Sequence, residues 1–180
     1  MRRIVGIFFI VAMAAPMGAI AAAPAGAATA GTTCKSFSGT GSFAPTLPKL
    51  GTSAKVKSVL TATGSIASCS GSVTDGSFKF VSSKSAGENC KSLATPPTAA
   101  IKATEVITWS SGKTSTISIK LAEVPLTPVT TQAMTGTVTS GLFQGLHLKG
   151  KVMYAALNGG CTSTGLSKIS LQASGPIVIR

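Results

Sequence analysis

Residues 104–122, TEVITWSSGKTSTISIKLA, hold the pattern that decides the fold. Two short runs rich in β-branched residues, the first ending on an aromatic ring, flank Ser110-Ser111-Gly112-Lys113, a four-residue turn signal. In the second run Ile117, Ile119 and Leu121 alternate with Ser118, Lys120 and Ala122. Successive side chains of a strand point to opposite faces, so this stretch predicts a hairpin, Thr104–Trp109 with Thr114–Ala122, with one buried and one wet face. Pro125 and Pro128 then end the strand and mark a crossing loop.

The same signature recurs on both sides. Strand-like runs are expected at Cys34–Phe43, Lys57–Ser70 and Ser72–Ser82, the last carrying the Phe78-Lys79-Phe80 alternation. Ser83–Pro97 reads as an irregular connection pinned by Cys90. A second hairpin, Met134–Thr139 with Leu146–Ala156, is expected to turn at Ser140-Gly141. Its later strand puts Leu146, Leu148, Val152 and Tyr154 on one face and His147, Lys149, Lys151 and Met153 on the other. Asn158-Gly159-Gly160 is expected to turn the chain, and Ile169, Leu171, Ala173 and Ile177-Val178-Ile179 close it. About seven to nine strands with no helical period predict an all-β antiparallel sandwich or a partly closed barrel. A membrane-spanning barrel is disfavoured, because the aromatic girdles it needs are missing.

Met1 to Ala30 stand apart as an N-terminal signal helix. Arg2 and Arg3 precede the apolar run Ile4–Met13, and small residues lead to a cut after Ala27 or, by the better A-x-A match, after Ala30. Pro16, Gly18 and Pro24 interrupt the apolar stretch, so cleavage is expected and no membrane span remains afterwards. The expected organisation is a signal peptide over 1–30 and a single secreted, extracellular β domain over 31–180, a length sufficient for one sizeable core. Ser, Thr and Gly make up 62 of those 150 residues, which suits strands and turns and starves helices.

Cys34, Cys69, Cys90 and Cys161 all lie in the exported part. An even count in an oxidising compartment reads as two disulfides. Pairing Cys34 with Cys69 centres a hairpin near Gly51, inside the loop-like run Pro45–Thr52, and leaves Cys90 for Cys161. No cysteine pair has zinc-ligand spacing and His147 is the sole histidine, so no metal site is expected.

One phrase occurs twice. Ser70-Gly71-Ser72-Val73-Thr74-Asp75-Gly76-Ser77-Phe78 matches Thr135-Gly136-Thr137-Val138-Thr139-Ser140-Gly141-Leu142-Phe143, through either a duplicated half or convergence of Thr- and Gly-rich strand-turn units. Together with Val106–Ser115, the stretch Thr135–Gly145 resembles the strand-turn phrases of a group of small secreted all-β actinobacterial proteins. That group has no assigned activity, so the resemblance implies a fold and carries over no functional residue.

Catalytic chemistry finds few parts. No serine sits in a G-x-S-x-G elbow, His147 reads as a surface histidine, and Glu105 and Glu123 fall out of register on the two arms of the central hairpin, where a solvated face is expected. No catalytic residue, cofactor or nucleotide-binding loop is expected, and the chain is read as a non-enzyme. Phe78-Lys79-Phe80 reads as a strand with two core rings rather than a nucleic-acid stripe. From Gly31 on, 14 Lys and Arg stand against Asp75, Glu88, Glu105 and Glu123. Such a surface attracts polyanions. The expected role is a secreted non-catalytic binding module that meets anionic cell-envelope polymers. The alternative is a protein-binding effector such as a protease inhibitor, presenting Leu93–Ala100 or Leu121–Thr130.

Overall fold

The computed structural model describes residues 30–54, 56–83, 90, 101–121 and 130–180, the side chains of Ile101, Thr130 and Gly159 excepted. Nine strands follow one another: β1 Thr32–Leu47, β2 Val59–Cys69, β3 Asp75–Ser82, β4 Ile101–Trp109, β5 Thr114–Leu121, β6 Thr130–Gly141, β7 His147–Gly160, β8 Gly165–Ala173 and β9 Ile177–Ile179. Each of the first seven pairs antiparallel with the next, and β8 returns to pair with β1. The sheet is therefore a closed eight-stranded barrel, which leaves no long edge to aggregate. β9 is the extra strand. Where β8 stops, β9 takes its place between the same neighbours, with Thr32 opposite Ile179 on one side and Leu148 opposite Ile179 on the other.

Alternation fills the inside. Phe78, Phe80, Ala103, Ile107, Trp109, Ile117, Ile119, Leu121, Met134, Val138, Leu148 and Val152 are all buried in one cluster, while their strand neighbours look outward. The hairpin end of the barrel is plugged. Trp109 and Phe143 meet edge to face with centroids 5.6 Å apart. The indole Nε1 donates to Ser115 Oγ (2.8 Å), which in turn donates to the Leu142 carbonyl (2.5 Å), so the polar tip of the buried ring is satisfied.

A different solution serves the β1–β2–β3 wall. Gly39 stands opposite Gly64, and Gly64 opposite Phe78. The Phe78 ring covers both glycines: an added Cβ would lie 2.8 Å from the ring at Gly39 and 2.6 Å from it at Gly64. Phe37 stacks on the same ring with centroids 4.2 Å apart and planes 12° from parallel. Two missing side chains thus make the slot that one large ring fills.

Both disulfides form as expected, Cys34–Cys69 and Cys90–Cys161. The first joins directly opposed residues of β1 and β2 near the hairpin end. The second sits at the far end, where the Cys90 amide donates to the Pro48 carbonyl (2.9 Å) and Leu50 donates to the Cys161 carbonyl (2.6 Å). Covalent staples therefore hold both mouths.

Three local expectations shift. The β6–β7 turn lies at 142–146 rather than at Ser140-Gly141. A bulge between the Thr116–Ser140 and Ile117–Val138 pairs lets β6 run on to Gly141 before Phe143 drops inward. Asn158-Gly159-Gly160 does not turn the chain but ends β7, paired with β8, and the turn follows at 161–164. The repeated phrase is split differently in its two copies. Ser70–Thr74 is a turn that leads into β3, whereas Thr135–Gly141 is strand β6 that leads into a turn. Both copies bury their Val and Phe, yet they are not equivalent parts of the barrel, which favours convergence. Residues 1–29, most of the Ser83–Pro97 connection and the Pro125–Pro128 loop lie outside the described residues.

The glycine slot makes a testable demand. Gly64→Ala pushes Cβ against the Phe78 ring and the Ser38 carbonyl and is expected to cost about 2 kcal/mol, whereas Phe78→Ala empties the slot at about 4 kcal/mol. In urea denaturation the Gly64→Ala/Phe78→Leu double variant should lose less than the sum of its single variants by the ring's share of the clash, while the contacts with the Ser38 carbonyl and the Gly39 backbone remain in both.

Candidate functional site: the barrel wall and its two faces

The wall separates two environments that carry different chemistry. Inside, one ionisable group among the described residues stands among hydrocarbon. Glu105 lies on β4 between Ala103 and Ile107, with Phe80 opposite on β3 and Ile117 opposite on β5. It is 1 % exposed, and neither carboxylate oxygen has a hydrogen-bond partner among the described residues. The expected solvated face for this residue is therefore overturned. Its parity is that of Ile107 and Trp109, so once those two face the core Glu105 must follow them. Glu123 lies outside the described residues.

Burial alone pushes the Glu105 carboxyl up from an ordinary 4.5 to about 8, because the charged form loses its hydration and gains no partner. At neutral pH the group is a neutral acid inside an apolar barrel. The unfolded chain ionises it near its ordinary value and the folded chain does not. The stability it permits is complete below pH 4.5, falls as pH rises towards 8, and is then lost. At about 1.4 kcal/mol for each pH unit, the whole swing is on the order of 5 kcal/mol.

Outside, the wall is polar and cationic. Thr104, Thr116, Ser118, Thr135, Thr137 and Thr139 alternate with the core residues of β4 to β6, and Lys102, Lys120, Lys149 and Lys151 are exposed among them or on the adjoining β7. Lys102 stands directly opposite Lys120 across the β4–β5 ladder. Neither forms an ion pair among the described residues. Asp75, at the start of β3, is the single exposed acidic side chain that is described; its carboxylate accepts from Thr74 Oγ1 at 2.9 Å. His147 is exposed, as expected, and its Nδ1 lies 3.2 Å from Thr137 Oγ1. It faces out where Glu105 faces in, so the wall keeps the two apart.

The remaining sequence candidates resolve plainly. Phe78 and Phe80 point to the core with Lys79 exposed between them. All four cysteines are consumed in disulfides. Among the described residues no three His, Cys, Asp or Glu side chains cluster closely enough to hold a metal ion, and no helix is long and apolar enough to cross a membrane. The segments suggested for presentation to a protease, Leu93–Ala100 and Leu121–Thr130, lie outside the described residues apart from Leu121 itself and the backbone of Thr130. No protein-family model, curated protein or solved structure matches the chain.

The lone interior acid gives a clean pH experiment. Wild type should lose stability steadily between about pH 4.5 and 8, and Glu105→Gln, which cannot ionise, should flatten that part of the profile. Glu105→Met should raise stability at pH 8 by several kcal/mol if it packs without strain. Equal pH profiles for wild type and Glu105→Gln in chemical denaturation would contradict the burial argument.

Proposed function

We propose that this chain is a secreted, non-catalytic β-barrel that binds anionic polymers of the cell envelope through its outer wall. The carrying observation is the direct opposition of Lys102 and Lys120 on an exposed ladder with no acidic side chain set between them. Like charges placed opposite one another in a sheet are unfavourable, and an external anion relieves them. The surrounding balance supports the same reading. Glu105, the interior acid among the described residues, is held neutral by burial and adds nothing to the surface field. The described wall therefore presents cations with almost no compensating charge, an arrangement that draws polyanions at low ionic strength.

Secretion fits this role. Two disulfides spanning 35 and 71 residues of chain suit an oxidising compartment, and the reading of Met1 to Ala30 as a cleaved export signal supplies the route. The barrel contributes rigidity. Its interior is committed to packing, while the outer Ser, Thr and Lys side chains stand exposed where a partner can reach them.

Retention on purified cell wall provides the test. The protein should bind at about 50 mM salt and elute as ionic strength rises past a few hundred mM, because counter-ions compete for exposed lysines. Failure to bind at low ionic strength would remove the polyanion role.

A further inference from the structure

The barrel wall is broken between β8 and β9, and the break lies beside the exposed lysines. β8 ends at Ala173, paired through Val152 to β7, and β9 resumes at Ile177 to pair with Leu148 and Lys149. Between the two, Ser174-Gly175-Pro176 leaves the sheet, tied back only by the Ser174 amide donating to the Lys151 carbonyl (2.8 Å). The departure opens a shallow cleft of about 410 Å³, lined by Lys149, Gly150, Lys151, Ser174, Gly175, Pro176 and Val178. Lys149 and Lys151 are two residues apart on one strand, so both stand on the outer face, while Gly150 between them turns its side-chain position inward, where Ile177 fills the space, and offers only backbone to the cleft. The cleft thus has a small apolar floor and two cations on its rim.

Register connects this cleft to the opposed lysines. Reading across the ladders, Lys102 faces Lys120, Lys120 faces Thr135, Thr135 faces Lys149, and Lys149 faces Val178. The row crosses strands β4, β5, β6, β7 and β9 at about 4.8 Å per step on the backbone. From Lys102 to Lys149 it covers three of the eight steps around the barrel. No described acidic side chain interrupts it.

We infer that a linear polyanion lies across the strands along this row, from the Lys102–Lys120 pair to the Lys149–Lys151 cleft, where its backbone passes over Gly150 and Pro176. The inference rests on the polyanion-binding reading above and assigns it a path. It also names the chemistry of the polymer. Aromatic platforms are what hold the bases of single-stranded nucleic acids, and among the described residues every Phe, Tyr and Trp ring is buried or half-buried. The matching ligand is a chain of regularly spaced anionic groups that carries no aromatic bases.

Three probes and three paired variants test this in the full secreted protein. Inorganic polyphosphate and poly-L-glutamate supply phosphate and carboxylate chains without rings, and oligo-dT supplies a phosphate chain with bases. Polyphosphate or polyglutamate should bind wild type more tightly than oligo-dT of equal charge, and the tighter of the two names the anionic group. Lys149→Gln/Lys151→Gln and Lys102→Gln/Lys120→Gln should each lower affinity roughly tenfold at low salt and reduce the slope of log affinity against log salt by about 1.5. Lys57→Gln/Lys113→Gln removes the same charge at exposed positions off the row and should leave the slope unchanged. An equal fall in slope for all three pairs would overturn the path while leaving general polyanion binding intact. Tighter binding of oligo-dT would overturn the base-free ligand. No binding of wild type to any probe would remove both the path and the reading beneath it.

Discussion

The return of β8 onto β1 is the contact on which the rest of the structure depends. Without it, eight strands would form an open sheet with two exposed edges and an apolar face too broad to cover. With it, every core side chain acquires a facing wall, and the alternation along each strand becomes a distinction between inside and outside. That pairing joins residues more than a hundred positions apart, for example Ser38 with Gln172, so closure entropy opposes it and nothing local enforces it. What makes closure tolerable is the interior, where glycines at Gly39 and Gly64 admit the Phe78 ring and Gly41 comes close to Ile169 of β8. The barrel closes because its inner volume and its side chains agree.

Closure also fixes the division of labour between the faces. The interior excludes water well enough to keep Glu105 neutral, and the exterior is left with cations and hydroxyls. A sandwich made from the same strands would have an open rim at each sheet edge and a weaker distinction between the two environments. The carboxyl that might have balanced a lysine is spent inside, and the surface field is correspondingly stronger. The acid itself has a cost: an unpartnered buried group lowers stability at neutral pH, and nothing among its described neighbours compensates it.

Much of this was legible in the chain, and the failures have physical causes. The central hairpin was readable because the Ser110–Lys113 turn and the Ile117–Leu121 alternation agree with each other. The disulfides were readable because one pairing alone is consistent with a hairpin centred at Gly51. Barrel closure over a sandwich was not, since both use the same period and differ only in a non-local pairing. Glu105 was misplaced because Thr104, Val106 and Thr108 are also good strand residues, leaving the parity of β4 to be decided by Trp109. The Ser140–Gly141 turn was misplaced by a bulge, which adds a residue without any change in composition. The row of lysines could not be read at all from sequence, because it exists only in the register across four ladders.

One consequence follows from β9. By lying between β1 and β7 it brings Ile179 beside Thr32, so the first and last strands of the barrel are neighbours at the hairpin end. Around the circumference, the step from β9 to β1 is then no wider than the steps between strands that a hairpin joins. Joining the two ends with a few flexible residues and cutting instead at the exposed Gly112 turn would give a chain of different order and the same inside and outside, because the fold records which strands are adjacent and is indifferent to where the reading starts.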